Sequence, residues 1–409
     1  MRIFCAVRHS QDPRQFYGGL WSANFYPALR QLGHEIVESQ VDLLPTSRFM
    51  GIADGFTPEE IALRGRTTEQ ILAEVRAAHR EKPVSLFLGY FYNSHFDPAG
   101  FDELRRMGIP SINFYCNSIY QFAGVAAIAA KVDFSWHAER DAASSYRAVG
   151  GKPVWVQMGA DPQVYRPVSG IESMAKACFV GQRYADRDRW MAALVRAQVP
   201  VDIYGSGWGN DPEQTGAASN SPPGMETYLG RKQSVPGSLD AYRTVFHGTI
   251  RKEGVWQGVA RVLRQWRYRN ETRQLLPLFT ACAKGPIPFT RIFEIMSGYQ
   301  VCLNFSNVWA DGRPGSALIP HVRLRDFEAP MCRVCYLTGH TEEIAQFYEI
   351  GAEIDTYRSE PELIDKVRFY LAHPETAEKM REAGYRRALR DHTWVRRFEE
   401  LFARTGLQS

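Results

Sequence analysis

Two series of short apolar runs, each alternating with helical patterns, constrain the fold of this chain more than any other feature. The first series has predicted strands at residues 2–7, 34–37, 84–91, 111–116, 132–137 and 153–158. The second series has predicted strands at residues 177–181, 200–205, 245–250, 300–305, 334–337 and 351–357. Because helical patterns lie between most of these strands, both series predict parallel, doubly wound α/β sheets that bind ligands at the carboxyl ends of their strands.

A linker separates the two series at residues 159–174, where prolines and polar residues show no periodic pattern. We therefore predict an N-terminal Rossmann-like domain at residues 1–165 and a C-terminal one at residues 166–385, with a cleft between them. Residues 209–286 are predicted as an insertion into the second domain, beginning with a loop rich in Gly, Pro, Ser and Asn. Residues 386–409 contain a helical pattern with an apolar stripe.

The composition is that of an ordinary globular protein. The chain has 409 residues, of which 44% are hydrophobic and 23% are charged. Its net charge of +4 is too small to indicate a nucleic-acid-binding protein. No apolar run approaches the length of a transmembrane helix, and the first residues are typical of a strand rather than a signal peptide. We therefore expect a cytoplasmic protein.

Seven cysteines are scattered through the chain, mostly in apolar runs. Their odd number and wide spacing predict reduced, buried thiols. Cys332 and Cys335 form a CxxC pair, but the sequence offers no further zinc ligands nearby. A redox CxxC would open a helix, whereas this pair closes one, so core packing is the expected role.

The segment from His321 to Thr338 combines several features of a ligand site, because it contains a loop, a short helical pattern and a buried strand. Arg325 and Glu328 are three residues apart and share one face of the predicted helix. The amides at a helix N-terminus bind phosphate readily, and a carboxylate one turn further can accept bonds from a pair of sugar hydroxyls. The alternative is that Glu328 is a helix-face carboxylate paired with Arg325.

Residues 251–276 carry seven arginine or lysine residues among apolar residues with helical spacing. One interpretation is a helix that packs on its own domain and exposes its arginines to solvent. The other is a basic amphipathic helix that docks on an anionic membrane or a polyanion.

Four passages together resemble GT-B glycosyltransferases. Gly18-Gly19, followed by a helical pattern and the letters LGHEIV, is similar to the first loop and second strand of that superfamily. Residues 158–162 resemble its interdomain hinge, and residues 179–183 with the letters IYGSGW resemble the start of its donor domain. Residues 325–329 and the segments after them resemble the CgeB/spore-protein-like branch of the group 1 glycosyltransferases.

This resemblance implies a GT-B fold, with a C-terminal helix that crosses back to the first domain. It implies transfer of a sugar from a nucleotide-diphosphate sugar, such as a UDP-sugar, to a hydroxyl of a carbohydrate, glycoconjugate or small-molecule acceptor held by the N-terminal domain. No metal or other cofactor is implied. A protein of this kind would be cytoplasmic or peripheral at the inner membrane surface. Superfamily members often carry two glutamates eight positions apart, and the earlier position here is Pro320, beside His321.

The resemblance also implies roles for individual residues. Glu328 would bind the ribose. The base would lie against Gly205, Gly207 and the aromatic wall of Trp208, with Tyr299 as a second candidate wall. The diphosphate and the rest of the nucleotide sugar would contact Gly18, Gly19, Gly181, Arg183, His321 and Arg325. Surface ion pairing is the alternative for the arginines, and loop anchoring is the alternative for Trp208. Arg187 and Arg189 are expected to be solvated helix residues.

An inverting transfer requires a base for the acceptor hydroxyl. His95 and Asp97, which follow a predicted strand, are the candidates, with His137 as a further one. A retaining transfer would need no such base. Two other functions remain open on the same fold, namely a nucleotide-sugar epimerase and a non-catalytic carbohydrate-binding or assembly protein.

Overall fold

The computed structural model describes residues 1–10, 16–209, 227–228, 231–232, 254–288 and 291–407. The chain divides into two compact units. Unit 1 consists of Met1–Asp161 and His392–Ser409, and unit 2 consists of Pro162–Asp391. The predicted strand at 245–250 and most of the predicted loop at 209–237 lie outside the described residues.

Unit 1 contains one six-stranded sheet in which every neighbouring pair is parallel. Its strands are β1 (Arg2–Ala6), β2 (Glu35–Glu38), β3 (Leu86–Gly89), β4 (Ser111–Tyr115), β5 (Phe134–His137) and β6 (Pro153–Trp155). The strand order is β2-β1-β3-β4-β5-β6. The prediction of a parallel doubly wound sheet is therefore confirmed, because all six strands fall on the apolar runs of the first series.

Helices follow most of these strands. They are α1 (Phe16–Gln31), α2 (Leu44–Ser47), α3 (Pro58–Glu81), α4 (Gly100–Arg106), α5 (Ser118–Gln121), α6 (Ala126–Ala129) and α7 (Ala143–Ala148). The start of α3 is fixed by a capping box, in which Thr57 accepts from the Glu60 amide and Glu60 accepts from the Thr57 amide. Gly18 and Gly19 lie inside the first turns of α1. This corrects the prediction that the two glycines form a loop, since the helix already begins at Phe16.

Unit 2 contains a second six-stranded parallel sheet and short antiparallel pairs. Its strands are β7 (Met174–Val180), β8 (Val201–Tyr204), β9 (Thr227–Tyr228), β10 (Arg231–Lys232), β11 (Ala283–Gly285), β12 (Tyr299–Asn304), β13 (Asn307–Trp309), β14 (Leu318–Pro320), β15 (Cys335–Gly339) and β16 (Asp355–Tyr357). The main sheet has the order β11-β8-β7-β12-β15-β16, while β9 pairs with β10 and β13 with β14. The β13–β14 pair was not predicted, and neither was β11, which lies inside the predicted insertion at residues 209–286 but belongs to the main sheet.

The helices of unit 2 cover this sheet. They are α8 (Arg187–Arg196), α9 (Val255–Leu275), α10 (Ile292–Ser297), α11 (Arg325–Met331), α12 (Glu360–Ala372) and α13 (Pro374–Asp391). Phe179 and Val301 on the strands pack with Leu194 of α8 and Val367 of α12 in one buried core. In the part of the chain that the structure describes, no helix has the length and apolar character needed to cross a membrane.

The last helix, α14 (Trp394–Thr405), belongs to unit 1. Its Trp394 and Phe398 rings lie 4.9 Å and 5.3 Å from the ring of Phe25 in α1. The indole of Trp394 also donates to Asn24 Oδ1 at 2.8 Å, so this buried N–H is satisfied. The predicted return of the C-terminal helix to the first domain is confirmed by this packing.

All seven cysteines are buried and unbridged. Burial raises the pKa of Cys335 to about 12, so its thiol stays protonated at neutral pH. The prediction that Cys332 and Cys335 pack in the core is confirmed.

Candidate functional site

The carboxyl edge of the unit 2 sheet has a switch point between β7 and β12. The chain leaves β7 towards β8 on one side, and it later places β12 on the other side of β7. Loops that leave neighbouring strands in opposite directions open a crevice at that edge, where ligands of doubly wound sheets bind. The segments at this point are residues 181–186 after β7 and residues 305–324 after β12.

Arg187, the first residue of α8, and Arg323, in the segment after β12, approach the same aromatic ring. The guanidinium carbon of Arg187 lies 5.7 Å from the centroid of Tyr184, and that of Arg323 lies 6.0 Å from it. Arg187 donates to the Gln182 carbonyl and Arg323 donates to the Asn307 carbonyl, both at 2.9 Å. These bonds orient the guanidinium groups but do not neutralise them. We call Arg187 and Arg323 the arginine pair.

The arginine pair has no direct ion-pair partner among the described residues, although the carboxylates of Asp186 and Asp326 are close enough to interact with it electrostatically. Within the described ranges, neither guanidinium lies within ion-pair distance of a carboxylate, and the Nε atom of each is buried without a hydrogen-bond partner. Burial, and then the nearby charge of Arg323, lower the pKa of Arg187 to about 9. Because the site disfavours a second cation, a bound anion would be stabilised there.

A buried carboxylate lies beside the arginine pair. Asp186 Oδ2 accepts from the Trp190 indole at 2.8 Å and from the Asn307 side-chain amide at 2.7 Å. Its Oδ1 is buried and accepts no hydrogen bond from the described residues. The carboxylate is therefore held in place with one oxygen able to accept a further bond, as from a sugar hydroxyl.

A cavity of about 280 Å³ opens at the same edge of the sheet. Its lining residues are Trp190, Phe305, Ser306, Asn307, Pro320, Gly339, His340, Tyr357 and Arg358. Trp190 and Asn307 also bind Asp186, so the cavity and the carboxylate share two residues. Aromatic walls with a few polar groups are typical of small-ligand pockets, whose volumes start near roughly 300 Å³.

The Arg325–Glu328 pair is closed, in contrast to the arginine pair. Arg325 Nη1 lies 2.9 Å from Glu328 Oε2, and the Glu328 side chain is only 5% exposed. Burial raises the pKa of Glu328, while Arg325 and a hydrogen bond from Tyr165 oppose that rise. Burial alone would lower the pKa of Arg325, but the charge of Glu328 leaves it raised. Ribose binding by Glu328 stays a prediction, and it would require Tyr165 to release the carboxylate.

The start of α11 is not an open anion site. The amides of Phe327 and Glu328 already donate to the Leu324 carbonyl, and the Arg323 amide donates to Asp326 Oδ2. His321 is buried, and its amide donates to the Ser306 carbonyl at 3.0 Å. This corrects the expectation of free helix-start amides, because a tight turn and Asp326 satisfy them internally.

Neither Arg183 nor Arg187 has the surroundings that the sequence predicted for it. Arg183 Nη2 lies 3.1 Å from Asp188 Oδ2 and also donates to the Thr272 carbonyl. Arg183 therefore anchors α9, which corrects its predicted contact with the diphosphate. Arg187 was expected in solvent, but helical geometry places it one turn later, on the edge of the sheet. The sequence gave no sign of this, because arginines on a helix are usually exposed.

The glycines after β7 and β8 permit close backbone contact rather than forming a base site. A Cβ at Gly205 would lie 2.2 Å from the Gly181 carbonyl oxygen, and Gly205 has φ of 140°. Trp208 is fully buried, and its indole donates to the same Gly181 carbonyl at 2.9 Å. The predicted aromatic wall at Trp208 is therefore corrected to a core anchor.

Tyr299 lies at the amino end of β12, away from the switch point. Its hydroxyl donates to Asp202 Oδ2 at 2.7 Å, and its side chain is buried. Because ligands of parallel sheets bind at the opposite edge, this placement corrects the prediction of a base-stacking wall. Gly207 follows β8 in the left-handed region with φ of 86°, where glycine is favoured.

In unit 1, His95 is fully buried with both ring nitrogens engaged. Its Nδ1 accepts from the Tyr92 amide at 3.1 Å, so in the neutral ring Nε2 donates to Ser47 Oγ at 3.0 Å. Ser47 in turn donates to the Leu43 carbonyl. Burial and the neighbouring His9 lower the pKa of His95 well below its usual range. This corrects the prediction of a general base, since the ring has no lone pair left to accept a proton.

Of the other predicted bases, Asp97 is engaged through both oxygens, whereas His137 is engaged through Nδ1 and has a buried Nε2 without a partner among the described residues. Asp97 Oδ1 accepts from the Ala99 amide at 3.0 Å, and its Oδ2 lies 3.4 Å from Arg64. His137 is buried, and its Nδ1 lies 2.9 Å from the Glu139 carbonyl. Asp97 therefore caps a turn, and His137 orders the chain after β5.

His9 was missed by the sequence interpretation. It follows β1 at the carboxyl edge of the unit 1 sheet, where β1 and β3 are neighbours. Its Nε2 donates to the Tyr90 carbonyl at 2.6 Å, and its ring stacks on Tyr90 with centroids 4.6 Å apart. Burial lowers the pKa of His9 to about 4, opposed by the Tyr90 carbonyl, so the ring is neutral at pH 7 with its lone pair on Nδ1. Its place directly after the first strand was the available signal.

Comparison with solved structures identifies the architecture. The whole chain superposes on sucrose-phosphate synthase from Thermosynechococcus elongatus with a TM-score of 0.54, 14% identity and 100% coverage of both chains. It superposes on AviGT4, a glycosyltransferase involved in avilamycin A biosynthesis, with a TM-score of 0.56, 14% identity and coverage of 99% and 97%. Anabaena HepE in complex with UDP gives a TM-score of 0.53, 10% identity and 100% coverage of both chains. The protein has the GT-B fold.

The sequence adds a second indication. Residues 238–403 match the family model described as Glycosyl transferase-like. This segment includes Arg323 of the arginine pair and the Arg325–Glu328 pair. No curated protein matches the sequence. The family match and the fold together support a GT-B glycosyltransferase.

Proposed function

We propose that this protein transfers a sugar from a nucleotide-diphosphate sugar to a hydroxyl acceptor, and that the arginine pair binds the diphosphate. The proposal rests mainly on two half-buried guanidinium groups at the switch point of unit 2, neither of which has a carboxylate within ion-pair distance among the described residues. The glycosyl transferase-like match to residues 238–403 supports the reaction class.

The arginine pair suits the electrostatics of the reaction. Negative charge develops on the diphosphate as the bond to the sugar breaks, and cationic groups fixed in advance stabilise that charge. Arginine is well suited because its planar fork meets phosphate oxygens with two hydrogen bonds. We propose that Arg187 and Arg323 supply this charge together, so that no bound metal is required.

The neighbouring groups suit the rest of the sugar donor. Asp186 Oδ1 has the lone pairs to accept a hydrogen bond from a sugar hydroxyl, and its carboxylate is held by Trp190 and Asn307. The cavity of about 280 Å³ beside it offers aromatic surfaces from Trp190 and Tyr357. We propose that this cavity holds a hydroxyl-bearing part of the donor.

We propose His9 of unit 1 as the base for the acceptor hydroxyl in an inverting transfer. It is the histidine whose neutral form carries its lone pair on Nδ1, because Nε2 is fixed by the Tyr90 carbonyl. His9→Ala should reduce kcat by about 10²–10⁴-fold, the usual contribution of general base catalysis. UDP binding should stay at the wild-type level. An unchanged kcat would assign the reaction to a mechanism without this base.

The donor proposal is tested by binding, before any acceptor is known. The melting temperature should rise with UDP, GDP or dTDP in the presence of EDTA, because a ligand at a hundred times its Kd stabilises a protein by about 2.7 kcal/mol. UDP is the first candidate, since HepE was solved with UDP. The absence of a shift with all three nucleotides would refute the donor assignment. Binding without sugar transfer to any acceptor would favour a carbohydrate-binding protein.

A further inference from the structure

The outer face of α9 exposes an unusual amount of apolar surface. Trp256, Val259, Leu263 and Trp266 are 86%, 37%, 49% and 55% exposed. Their spacing of three, four and three residues places them in one stripe along the helix. Of the twelve exposed large hydrophobic residues in the described part of the chain, five lie in residues 255–266 of this helix. We call these four side chains the α9 stripe.

The opposite face of α9 holds the helix on unit 2. Gly258 and Gln265 are buried there, and the Tyr268 ring lies 4.9 Å from the Trp309 ring. The Thr272 carbonyl accepts from Arg183 on the same side. The helix is therefore fixed by one face, and the prediction that it packs on its own domain is correct for that face alone. The residues of the α9 stripe lie on the other side of the helix and keep between 37% and 86% of their surface exposed.

Basic residues accompany the α9 stripe. The helix contains five arginines but one acidic residue, Glu271. Three of these arginines, Arg264, Arg267 and Arg273, are exposed to solvent. A second protein surface would need acidic groups to complement them, and a free polyanion would leave the aliphatic side chains of Val259 and Leu263 in contact with water. An anionic bilayer complements both features, because tryptophan and arginine have apolar bodies and polar ends that suit the lipid–water interface.

We propose that the α9 stripe docks on the surface of a membrane that contains anionic lipid. The two indoles and two aliphatic side chains would enter the headgroup region, and the exposed arginines would contact lipid phosphates. The helix would lie in the plane of the surface without crossing it. Such docking would place the protein beside acceptors in or near the membrane, a consequence that rests on the proposed transferase function. The docking itself does not depend on it.

Vesicle flotation with the full chain tests this proposal. The protein should float with phosphatidylcholine vesicles that contain phosphatidylglycerol, and much less with phosphatidylcholine alone. Added salt should weaken the binding, because it screens the arginine charges. The tryptophan fluorescence should shift to shorter wavelength on the vesicles. Absence of flotation at low salt would overturn the proposal.

Two sets of variants separate the apolar and charged contributions. Trp256→Ser with Trp266→Ser should weaken vesicle binding by about tenfold or more. Arg264→Gln, Arg267→Gln and Arg273→Gln should each weaken it by roughly fivefold on anionic vesicles. The matched control is Ile61→Ser with Phe369→Ser, which removes side chains that are 48% and 45% exposed elsewhere. The control should bind vesicles like the wild type.

Other occupants of the α9 stripe give different results. Binding that depends on the arginines but not on the tryptophans would indicate a polyanion and overturn the membrane proposal. Loss of a dimer in light scattering when the tryptophans are replaced would indicate self-association and also overturn it. The UDP-induced shift in melting temperature should be the same in every variant. Failure of vesicle binding is thereby distinguished from failure of the sugar-donor assignment.

Discussion

The arginine pair and the Arg325–Glu328 pair lie in the same unit, and Arg323 is only two residues from Arg325, yet their electrostatic states are opposite. Arg325 has its carboxylate partner at 2.9 Å, within one turn of α11. Arg187 and Arg323 both contact the Tyr184 ring, and each donates a hydrogen bond to a backbone carbonyl oxygen rather than to a carboxylate. The first pair is a closed ion pair, whereas neither arginine of the second has a carboxylate within ion-pair distance in the described part of the chain, so an anion can still bind to both.

The difference shows what local spacing can and cannot identify. A spacing of three residues on a helix predicts that Arg325 and Glu328 are neighbours, which is correct. The same short distance lets the two side chains form an ion pair. The two residues that the sequence most strongly indicated as ligand-binding are therefore bound to each other. A charge left without a partner depends on loops that are distant in the sequence and is visible only in the fold.

The largest expected effect comes from the arginine pair. Arg187→Met with Arg323→Met should lower UDP affinity in calorimetry by more than a hundredfold, since each charged hydrogen bond contributes about 1.5–3 kcal/mol. Arg189→Met, which changes an exposed arginine of the same helix, is the matched control and should bind UDP normally. Wild-type affinity in the double variant would remove the main support for the proposed donor site.

A smaller effect, on stability rather than on binding, is expected at the ion pair. Glu328→Ala leaves a largely buried guanidinium without its carboxylate, and we expect urea unfolding to show a loss of about 2–3 kcal/mol. The same variant should bind UDP as the wild type does. If UDP affinity fell as steeply as in the arginine variant while stability was kept, Glu328 would be the ribose ligand that the resemblance implies.

The sequence predicted the fold well because the periodic spacing of apolar residues in strands and helices is a local property of the chain. The six strands of unit 1 and most strands of the unit 2 sheet follow from runs that can be recognised in a single segment, but β11 was missed. The return of α14 was expected from the family resemblance. The small β13–β14 pair was missed because it joins residues 307–309 to 318–320 within a loop that has no apolar alternation.

The candidate site was predicted less well because its chemistry depends on which groups remain unpaired. Trp208 and Arg183 have the residue types expected of a nucleotide site, but core packing and Asp188 already engage them. Arg187 and His9 carried no spacing signal of their own. The roles that we propose for them depend on the strand order, which places the carboxyl ends of β7 and β1 at the switch points of the two sheets.

The discontinuous path of unit 1 has a consequence for the order of folding during synthesis. Residues 1–161 leave the ribosome first, but the helix that covers Phe25 and Trp136 is made of residues 394–405. Domains usually fold in order from the N-terminus as they emerge. Here unit 2, which is one continuous segment, can finish first, while the earliest part of the chain waits with an uncovered aromatic surface. This protein would therefore most need a chaperone during synthesis, after residues 1–161 have been made and before residues 394–405 can cover them.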